Sequence, residues 1–598
     1  MEEIKNISQG GGFIVNETAA NTVFTPEDFS EEQLMMKESV QEFVDRDIVP
    51  NRERFEQKDY DLTRDMMAKA GGLGFLGVAV PEAYNGLGMP FTSTMLVCDY
   101  ISGANGSFST AFGAHTGIGT MPITLYGNEE QKQKYVSKLA TGEWFGAYCL
   151  TEPGAGSDAN SGKTKAVLSE DGTHYKITGQ KMWISNAGFA HIFIVFARIG
   201  DDKNITGFIV PKDLENGITL GEEENKLGIK ASSTRQVFFN ETKVPVEDML
   251  AGRGDGFKIG MNALNVGRIK LAAACLEAQR RVTTLATQYA TERVQFKTPI
   301  AQFGAIQQKL AIMATNTYVS ESASYRAAFD IEEKIAQLLE QGLSHQEAEL
   351  KGVEEFAIEC SILKVSVSEK AQDCTDEGIQ IYGGMGFSAD APMEMAWRDA
   401  RIARIYEGTN EINRMLCVGM LLKKGFKGEI DLMSAATKVG QELMEGIPKT
   451  ELSNAFFAEE KSLLQNLKKA MLMITGAAVQ KFGPKFDKEQ QIILALSDIL
   501  IEIYMIESAI LRTEKNCERF GLDSQKNQID MTQLYLFDAI EKINSKGKEA
   551  IVSFADGAQL KGMIAGLRQY TKYQNYPNVV ALRRNIAATL IEENKYPF

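Results

Sequence analysis

Histidine is scarce in this chain. There are four among 598 residues, His115, His174, His191 and His345, and none is paired at helical ligand spacing, which argues against a histidine-rich metal centre. The seven cysteines, Cys98, Cys149, Cys275, Cys360, Cys374, Cys417 and Cys517, are odd in number, scattered and nowhere spaced as CxxC. They supply neither a zinc signature nor a disulfide framework and fit a reducing compartment. Any redox chemistry therefore falls to an organic cofactor. Basic charge is also short: 64 Lys and Arg against 79 Asp and Glu leave a net charge of -15, which rules out an electrostatic grip along a nucleic-acid backbone. The first residues, MEEIKNISQGGGF, carry acid where a secretory signal has a basic and then an apolar run. The most apolar late stretch, Ile492 to Leu511, is interrupted by Asp498, Glu502 and Glu507, charges costly in hydrocarbon. The expectation is a cytoplasmic protein whose late apolar segment is a buried helix.

What is present is ordinary globular material, 44% hydrophobic and 24% charged, in a length sufficient for about three to five domains. Hydrophobic period changes along the chain. From 30 to 144 it is helical, as in EEQLMMKESVQEFVDRDIVP; from 145 to 250 short alternating runs such as HIFIVFARI and RQVFFN predict a small β-domain. From 251 to 428 the helical period returns. Leu264, Leu271, Cys275, Ala278, Val282, Leu285 and Tyr289 form one stripe, which predicts a single long helix. After the glycine-punctuated LLKKGFKGEIDL, residues 429–598 read as a further helical region without a catalytic motif, and residues 1–29 as a leading segment.

Two segments hold most of the chemistry. In Tyr148-Cys-Leu-Thr-Glu-Pro-Gly-Ala-Gly-Ser-Asp158, followed by Lys181-Met-Trp-Ile-Ser-Asn186, glycines let backbone amides approach a flat or anionic ligand and hydroxyls meet its polar edge. On its own GAGSDA is equally an ordinary turn, and it lacks the spacing of a Rossmann site. In Trp397-Arg-Asp-Ala-Arg-Ile-Ala-Arg-Ile-Tyr-Glu-Gly-Thr-Asn-Glu-Ile412, Glu407 reads either as a solvated helix-end carboxylate or as a desolvated base. Trp183 reads either as core or as cofactor wall.

Together, in this order, the two segments resemble those of the acyl-CoA dehydrogenase family, as do FLGVAVPEAYNGLGM, RVQFKTPIAQF and QIYGGMGF; the resemblance covers about residues 24–424. It implies a mainly α fold with a central β-barrel, in the order helical domain, β-barrel and four-helix bundle. The additional C-terminal helical domain most resembles the very-long-chain branch. The cofactor implied is FAD. Tyr148, Leu150, Thr151, Gly156, Ser157, Trp183 and Ser185 match the stretch lining its isoalloxazine and pyrophosphate. Arg293, Gln295 and Phe296, and Gln380, Gly383 and Gly384, match segments that reach FAD, the first commonly from a neighbouring subunit; Thr409, Asn410 and Glu411 lie beside it.

The resemblance further implies α-proton abstraction from an acyl-CoA and β-hydride transfer to the flavin, giving a trans-2-enoyl-CoA in fatty acid β-oxidation, with electron-transfer flavoprotein as acceptor. Glu407 aligns with the base, and Ser157, Asn265, Arg268 and Gly408 with substrate-contacting positions. Gly267 stands where some members place an alternative glutamate base. Gly113 and Gly117 match the helix under the acyl pocket and hint at long chains. No metal is implied. The alternatives are an acyl-CoA oxidase and a mainly scaffolding protein on the same fold. The extension is expected to pack over the core and across a homodimer interface, with weak peripheral membrane binding as the sharper alternative. Lys297, in place of a usual glycine, and Gly304, where many members have glutamine, depart from the pattern.

Overall fold

The computed structural model describes residues 9–448 and 451–598. The first eight residues of the leading segment, and Lys449 and Thr450 of the extension, lie outside the described residues. A capping box starts the first long helix, Glu31–Phe43: Ser30 Oγ accepts from the Gln33 amide at 3.2 Å while the Gln33 side chain accepts from the Ser30 amide at 3.0 Å. Helices Tyr60–Gly72, Phe91–Ser102, Gly106–Gly113 and Met121–Tyr126 follow in this layer, with shorter helical turns between them and the sheet.

The β-region follows as β1 (Gly146–Cys149), β2 (Lys165–Leu168), β3 (His174–Ser185), β4 (Ile192–Ile199), β5 (Thr206–Pro211), β6 (Ile218–Glu223), β7 (Thr234–Pro245) and β8 (Met249–Leu250). The strands pair in the order β6-β7-β3-β2-β4-β5-β8, with β1 added parallel to β4. Ile177, Phe193, Val195, Phe208 and Val237 fill their core. A register shift between Lys181 and Ile184 where β3 meets β7 puts Trp183 at a positive φ of 61°. A bulge of this kind re-aims side chains, and the Trp183 indole is left 54% exposed.

Beyond the sheet the single long helix expected from the stripe is two, Gly256–Ala274 and Leu276–Glu292. At Cys275 the amide bonds back to Ala272 O at 3.1 Å, a three-residue closure that tightens the turn and interrupts the regular ladder while the apolar face continues. Helices Gly304–Glu340, Ala357–Tyr382 and Asn410–Phe426 pack with these as the bundle.

The extension consists of Leu432–Glu445, Ala458–Phe482, Gln490–Phe520, Lys526–Phe554, Gly557–Tyr570 and Val579–Glu593. It lies over the bundle, chiefly on Gly304–Glu340. A continuous buried apolar cluster joins Phe43 and Phe108 of the first layer, Tyr318 of the bundle and Ile499 and Ile540 of the extension. The charges that interrupt Ile492–Leu511 are each paired. Arg414 donates to Asp498 at 2.8 Å, Lys542 to Glu502 at 2.7 Å, and both Lys468 (2.5 Å) and Arg326 (3.0 Å) to Glu507. No described helix is long and apolar enough to cross a membrane. All seven cysteines are free and buried.

Candidate active site

Between helix Met393–Arg401 and helix Asn410–Phe426 the chain turns through two consecutive left-handed residues, Glu407 at φ 58° and Gly408 at φ 80°. A non-glycine residue in this region costs about 1–2 kcal/mol, so the surroundings must impose it. Asn413 Nδ2 donates to the carbonyls of Glu407 (3.3 Å), Gly408 (2.8 Å) and Thr409 (3.1 Å), and Lys364 Nζ donates to Gly408 O at 2.7 Å. Arg268 Nε donates to Glu407 O at 3.3 Å, and Thr409 Oγ1 caps the following helix by accepting from the Ile412 amide at 3.3 Å. Gly408 is required twice over, by its φ and because an added Cβ would lie 3.1 Å from Asn413 Nδ2.

The Glu407 carboxylate lies against helix Gly256–Ala274 at Gly267. A Cβ on that residue would stand 2.6 Å from Glu407 Oε2 and 2.9 Å from its Cδ. Glu407 Oε2 is buried without a hydrogen-bond partner. Burial pushes the carboxyl up from the usual 4.5 to about 7, while the charges of Arg268 and Lys364 act in the opposite direction. The Arg268 guanidinium is 2% exposed and donates to Asn265 Oδ1 at 2.8 Å. Desolvation pulls its proton affinity down and the Glu407 charge sustains it. Tyr148 Oη is a second buried polar atom without a partner, and burial, then the Glu407 charge, holds its phenol well above the ordinary value. Two orphaned polar groups within electrostatic reach of one another are what a site leaves for a ligand to satisfy.

The segment after β1 forms the neighbouring ledge. Its anchor is Glu152, which accepts from buried Lys181 Nζ at 2.7 Å, from the Lys163 amide at 2.6 Å and from the Thr164 amide at 3.1 Å. Lys181 also donates to Leu150 O (3.1 Å), and the Met182 amide to Thr151 O (3.0 Å), which ties β3 to the ledge. Gly156 and Ser157 are exposed, and a Cβ on Gly154 or Gly156 would meet nothing within 4 Å. Ser185, partly buried, ends β3 opposite Thr234.

The structure thus brings Tyr148, Asn265, Gly267, Arg268, Glu407 and Gly408 together. It sets Arg293, Gln295 and Phe296 apart from them on an exposed hairpin, with Phe296 91% exposed. Gln380, Gly383 and Gly384 are also exposed, at the same end of the bundle, where the Tyr289 and Tyr382 rings stack at 4.0 Å. Phe296 and Lys297 are the two central residues of that hairpin, both at positive φ (51° and 63°), so the position of Lys297 is one that glycine or asparagine fits best. Gly304 opens a helix with nothing within 4 Å of an added Cβ. Glu411 is exposed, but the Asn410 side chain is buried and fully engaged inside the protein, by Lys364 Nζ (2.7 Å), Ser368 Oγ (3.2 Å) and Glu369 Oε1 (3.0 Å). Lys364 and Asn413 were missed by motif reasoning. The available signal was a lysine inside the apolar run Cys360-Ser-Ile-Leu-Lys-Val365, which needs a buried partner. A cavity of about 510 Å³ in the extension, lined by Phe456, Gln533 and Tyr573, is remote from these residues. The Glu459 and Glu460 carboxylates on it already accept from Asn575 and Gln533.

Family models agree with this geometry along the chain. Residues 30–143 match the N-terminal domain of acyl-CoA dehydrogenases, 147–242 the middle domain, 254–421 a C-terminal domain and 466–569 a second model also described as an acyl-CoA dehydrogenase C-terminal domain. A probable acyl-CoA dehydrogenase of Bacillus subtilis (strain 168) is 41% identical over 591 residues, 99% of each chain. The mitochondrial very long-chain specific acyl-CoA dehydrogenase of Rattus norvegicus is 33% identical over 530 residues, 84% of this chain and 76% of the relative. A crystal structure of an acyl-CoA dehydrogenase complexed with FAD from Bacillus anthracis superposes with a TM-score of 0.96 at 42% identity, covering 99% of this chain and 100% of that one. Likeness of this degree extends through the extension as well as the bundle, and on it the chain belongs to the acyl-CoA dehydrogenase family.

Proposed function

We propose that the protein is an FAD-dependent acyl-CoA dehydrogenase that converts long-chain acyl-CoA to trans-2-enoyl-CoA in fatty acid β-oxidation, with Glu407 as the base. The observation that carries this reading is the Glu407 carboxylate itself, enclosed, unpartnered at Oε2 and with its proton affinity raised to about 7. Such a group accepts a proton at neutral pH far more readily than a solvated carboxylate.

The surroundings fit FAD. The orphaned Tyr148 hydroxyl, the open backbone at Gly154 and Gly156, exposed Ser157 and the Trp183 indole form a ledge that a flat, hydrogen-bonding ring system with a diphosphate would complete. Bound FAD would supply the acceptor for the hydride leaving the substrate β-carbon. Glu407 Oε2 would take the α-proton. The left-handed turn would present the Glu407 amide to the thioester carbonyl, where a backbone donor stabilises developing enolate charge. Arg268, Asn265 and Ser157 would hold the thioester and CoA portion.

Long-chain preference is supported by the similarity to a very long-chain specific relative. It is also supported by Gly117, a buried residue whose added Cβ would meet only Lys270 Cδ, at 3.9 Å. Arg293, Gln295, Phe296, Gln380, Gly383 and Gly384 would serve an FAD held across a homodimer interface, consistent with their exposure at one end of the bundle. Electron-transfer flavoprotein is the proposed acceptor and the cytoplasm the proposed compartment, in keeping with seven free thiols. Weak membrane-surface association would use exposed apolar groups of the extension such as Met444. Anaerobic bleaching of the holoenzyme's flavin across an acyl-CoA panel tests the central reading. Bleaching that peaks at long chains and is slow to reverse with oxygen is expected; rapid reoxidation would make it an oxidase, and no bleaching with any acyl-CoA would refute it.

A further inference from the structure

The C-terminal extension reaches the Glu407 turn through an unbroken line of side chains. Asp498, on the extension helix Gln490–Phe520, accepts from Arg414 Nε at 2.8 Å. The other edge of the Arg414 guanidinium grips Glu369 in a two-bond fork, Nη1 to Oε1 and Nη2 to Oε2, each 2.8 Å. Glu369 Oε1 accepts from Asn410 Nδ2 at 3.0 Å, Asn410 Oδ1 accepts from Lys364 Nζ at 2.7 Å, and the same Lys364 Nζ holds the Gly408 carbonyl at 2.7 Å. Every member is largely buried: Asn410 is 1% exposed, and the side chains of Asp498 and Arg414 are 12% and 14% exposed.

We infer that the extension positions the catalytic turn through this relay, with Asp498, Arg414, Glu369, Asn410 and Lys364 acting as positioning residues for Glu407. Arg414 belongs to the helix that follows the turn; its planar fork on Glu369 fixes the roll of that helix against Ala357–Tyr382, and its Nε bond to Asp498 docks the same guanidinium on the extension. Asn410 is the first residue of the helix, two after Gly408, so a shift in Glu369 passes directly to the left-handed pair. Burial depresses Lys364 to about 7, and the charges facing it are Glu407, Arg268, Cys275 and Glu369. Those facing Glu407 are Arg268 and Lys364, with Tyr148 and Tyr406 also in reach. The relay therefore sets both the place of the Glu407 backbone and part of the field on its carboxylate. The extension has other ties to the rest of the chain, such as Lys515 to Asp28 at 2.6 Å and to Val23 O at 2.7 Å. Those ties do not lead to the turn.

The inference rests on the assignment of Glu407 as base, and two measurements separate its failure from failure of that assignment. In FAD-loaded Asp498→Asn, the rate of anaerobic flavin reduction by a saturating long-chain acyl-CoA should fall by about 2- to 30-fold, the range of mutations along a coupling network. FAD content should be retained and the pH midpoint of reduction should move. Arg414→Lys, which keeps the charge and loses the fork, should behave alike, and serves if the Asn variant fails to fold. Lys515→Met severs an extension tie outside the relay and should change thermal stability without changing rate or pH midpoint. Hydrogen–deuterium exchange of a peptide spanning residues 402–413 needs no turnover. It should rise in Asp498→Asn and Arg414→Lys but not in Lys515→Met, whatever substrate the enzyme uses. Unchanged exchange in the relay variants, or losses of rate that merely follow thermal stability in all three, would overturn the inference.

Discussion

Adding one methyl group at Gly267 should disable the base while leaving the fold intact. The new Cβ would stand 2.6 Å from Glu407 Oε2, so the carboxylate must retreat by about 0.8 Å to recover an ordinary 3.4 Å contact. The helix backbone need not move, because what it meets is the end of a flexible side chain. A misplacement of about 1 Å at a reacting group costs on the order of 100-fold, or about 2.7 kcal/mol of activation free energy. Stability should shift the other way, since alanine exceeds glycine in a helix interior by about 1 kcal/mol. Gly267→Ala should therefore melt no lower than the parent, retain FAD, and reduce its flavin about 100-fold more slowly in anaerobic stopped flow. Parental speed in a folded, FAD-loaded variant would refute the placement of Glu407 against this helix as the reactive geometry.

Glu407→Gln should abolish dehydrogenation and keep FAD, as read by flavin bleaching and the flavin-to-protein ratio. The same variant tests the raised carboxyl. A proton affinity raised in the folded state favours folding at low pH and is a penalty as pH rises through about 7. The stabilisation from Glu407→Gln, measured by denaturant titration of ligand-free enzyme, should thus be small near pH 4.5 and grow to about 3 kcal/mol by pH 8; a pH-independent difference would contradict it. Lys297→Gly should add about 1 kcal/mol by relieving a left-handed lysine, visible as a raised melting midpoint. Gly117→Val, filling open space beside Lys270, should lower the long-to-short-chain ratio of kcat/KM by roughly tenfold, two buried methylenes' worth; an unchanged ratio would remove this helix from the acyl pocket.

Much of the fold was readable because hydrophobic period is a local property. The alternating runs became β3, β4, β5 and β7, and Gly428, at a φ of 73°, lies in the turn between helices Asn410–Phe426 and Leu432–Glu445. The hitch at Cys275 was not readable, because a change of hydrogen-bond ladder leaves the apolar stripe intact. At the site, the Glu407 loop stood out as a motif, but its dependence on Lys364 and Asn413 did not. Those residues act through backbone carbonyls, and a carbonyl has no identity in a sequence. The partners of the extension's buried charges were hidden for a related reason. Asp498, Glu502 and Glu507 look like helix-face charges until Arg414, Lys542, Lys468 and Arg326 arrive from elsewhere in the chain.

The seven enclosed thiols run from Cys98 in the first helical layer, through Cys149 in the sheet, to Cys517 in the extension. Each is buried, so a water-borne alkylating reagent reaches it chiefly when the chain around it opens. Because one apolar cluster holds both Cys98 of the first layer and Cys417 of the bundle, these two should become labelled with the same half-time, while Cys149, in the separate core of the sheet, keeps its own. The cysteines thereby form a built-in clock, in which the order of alkylation ranks how often each part of the enzyme breathes.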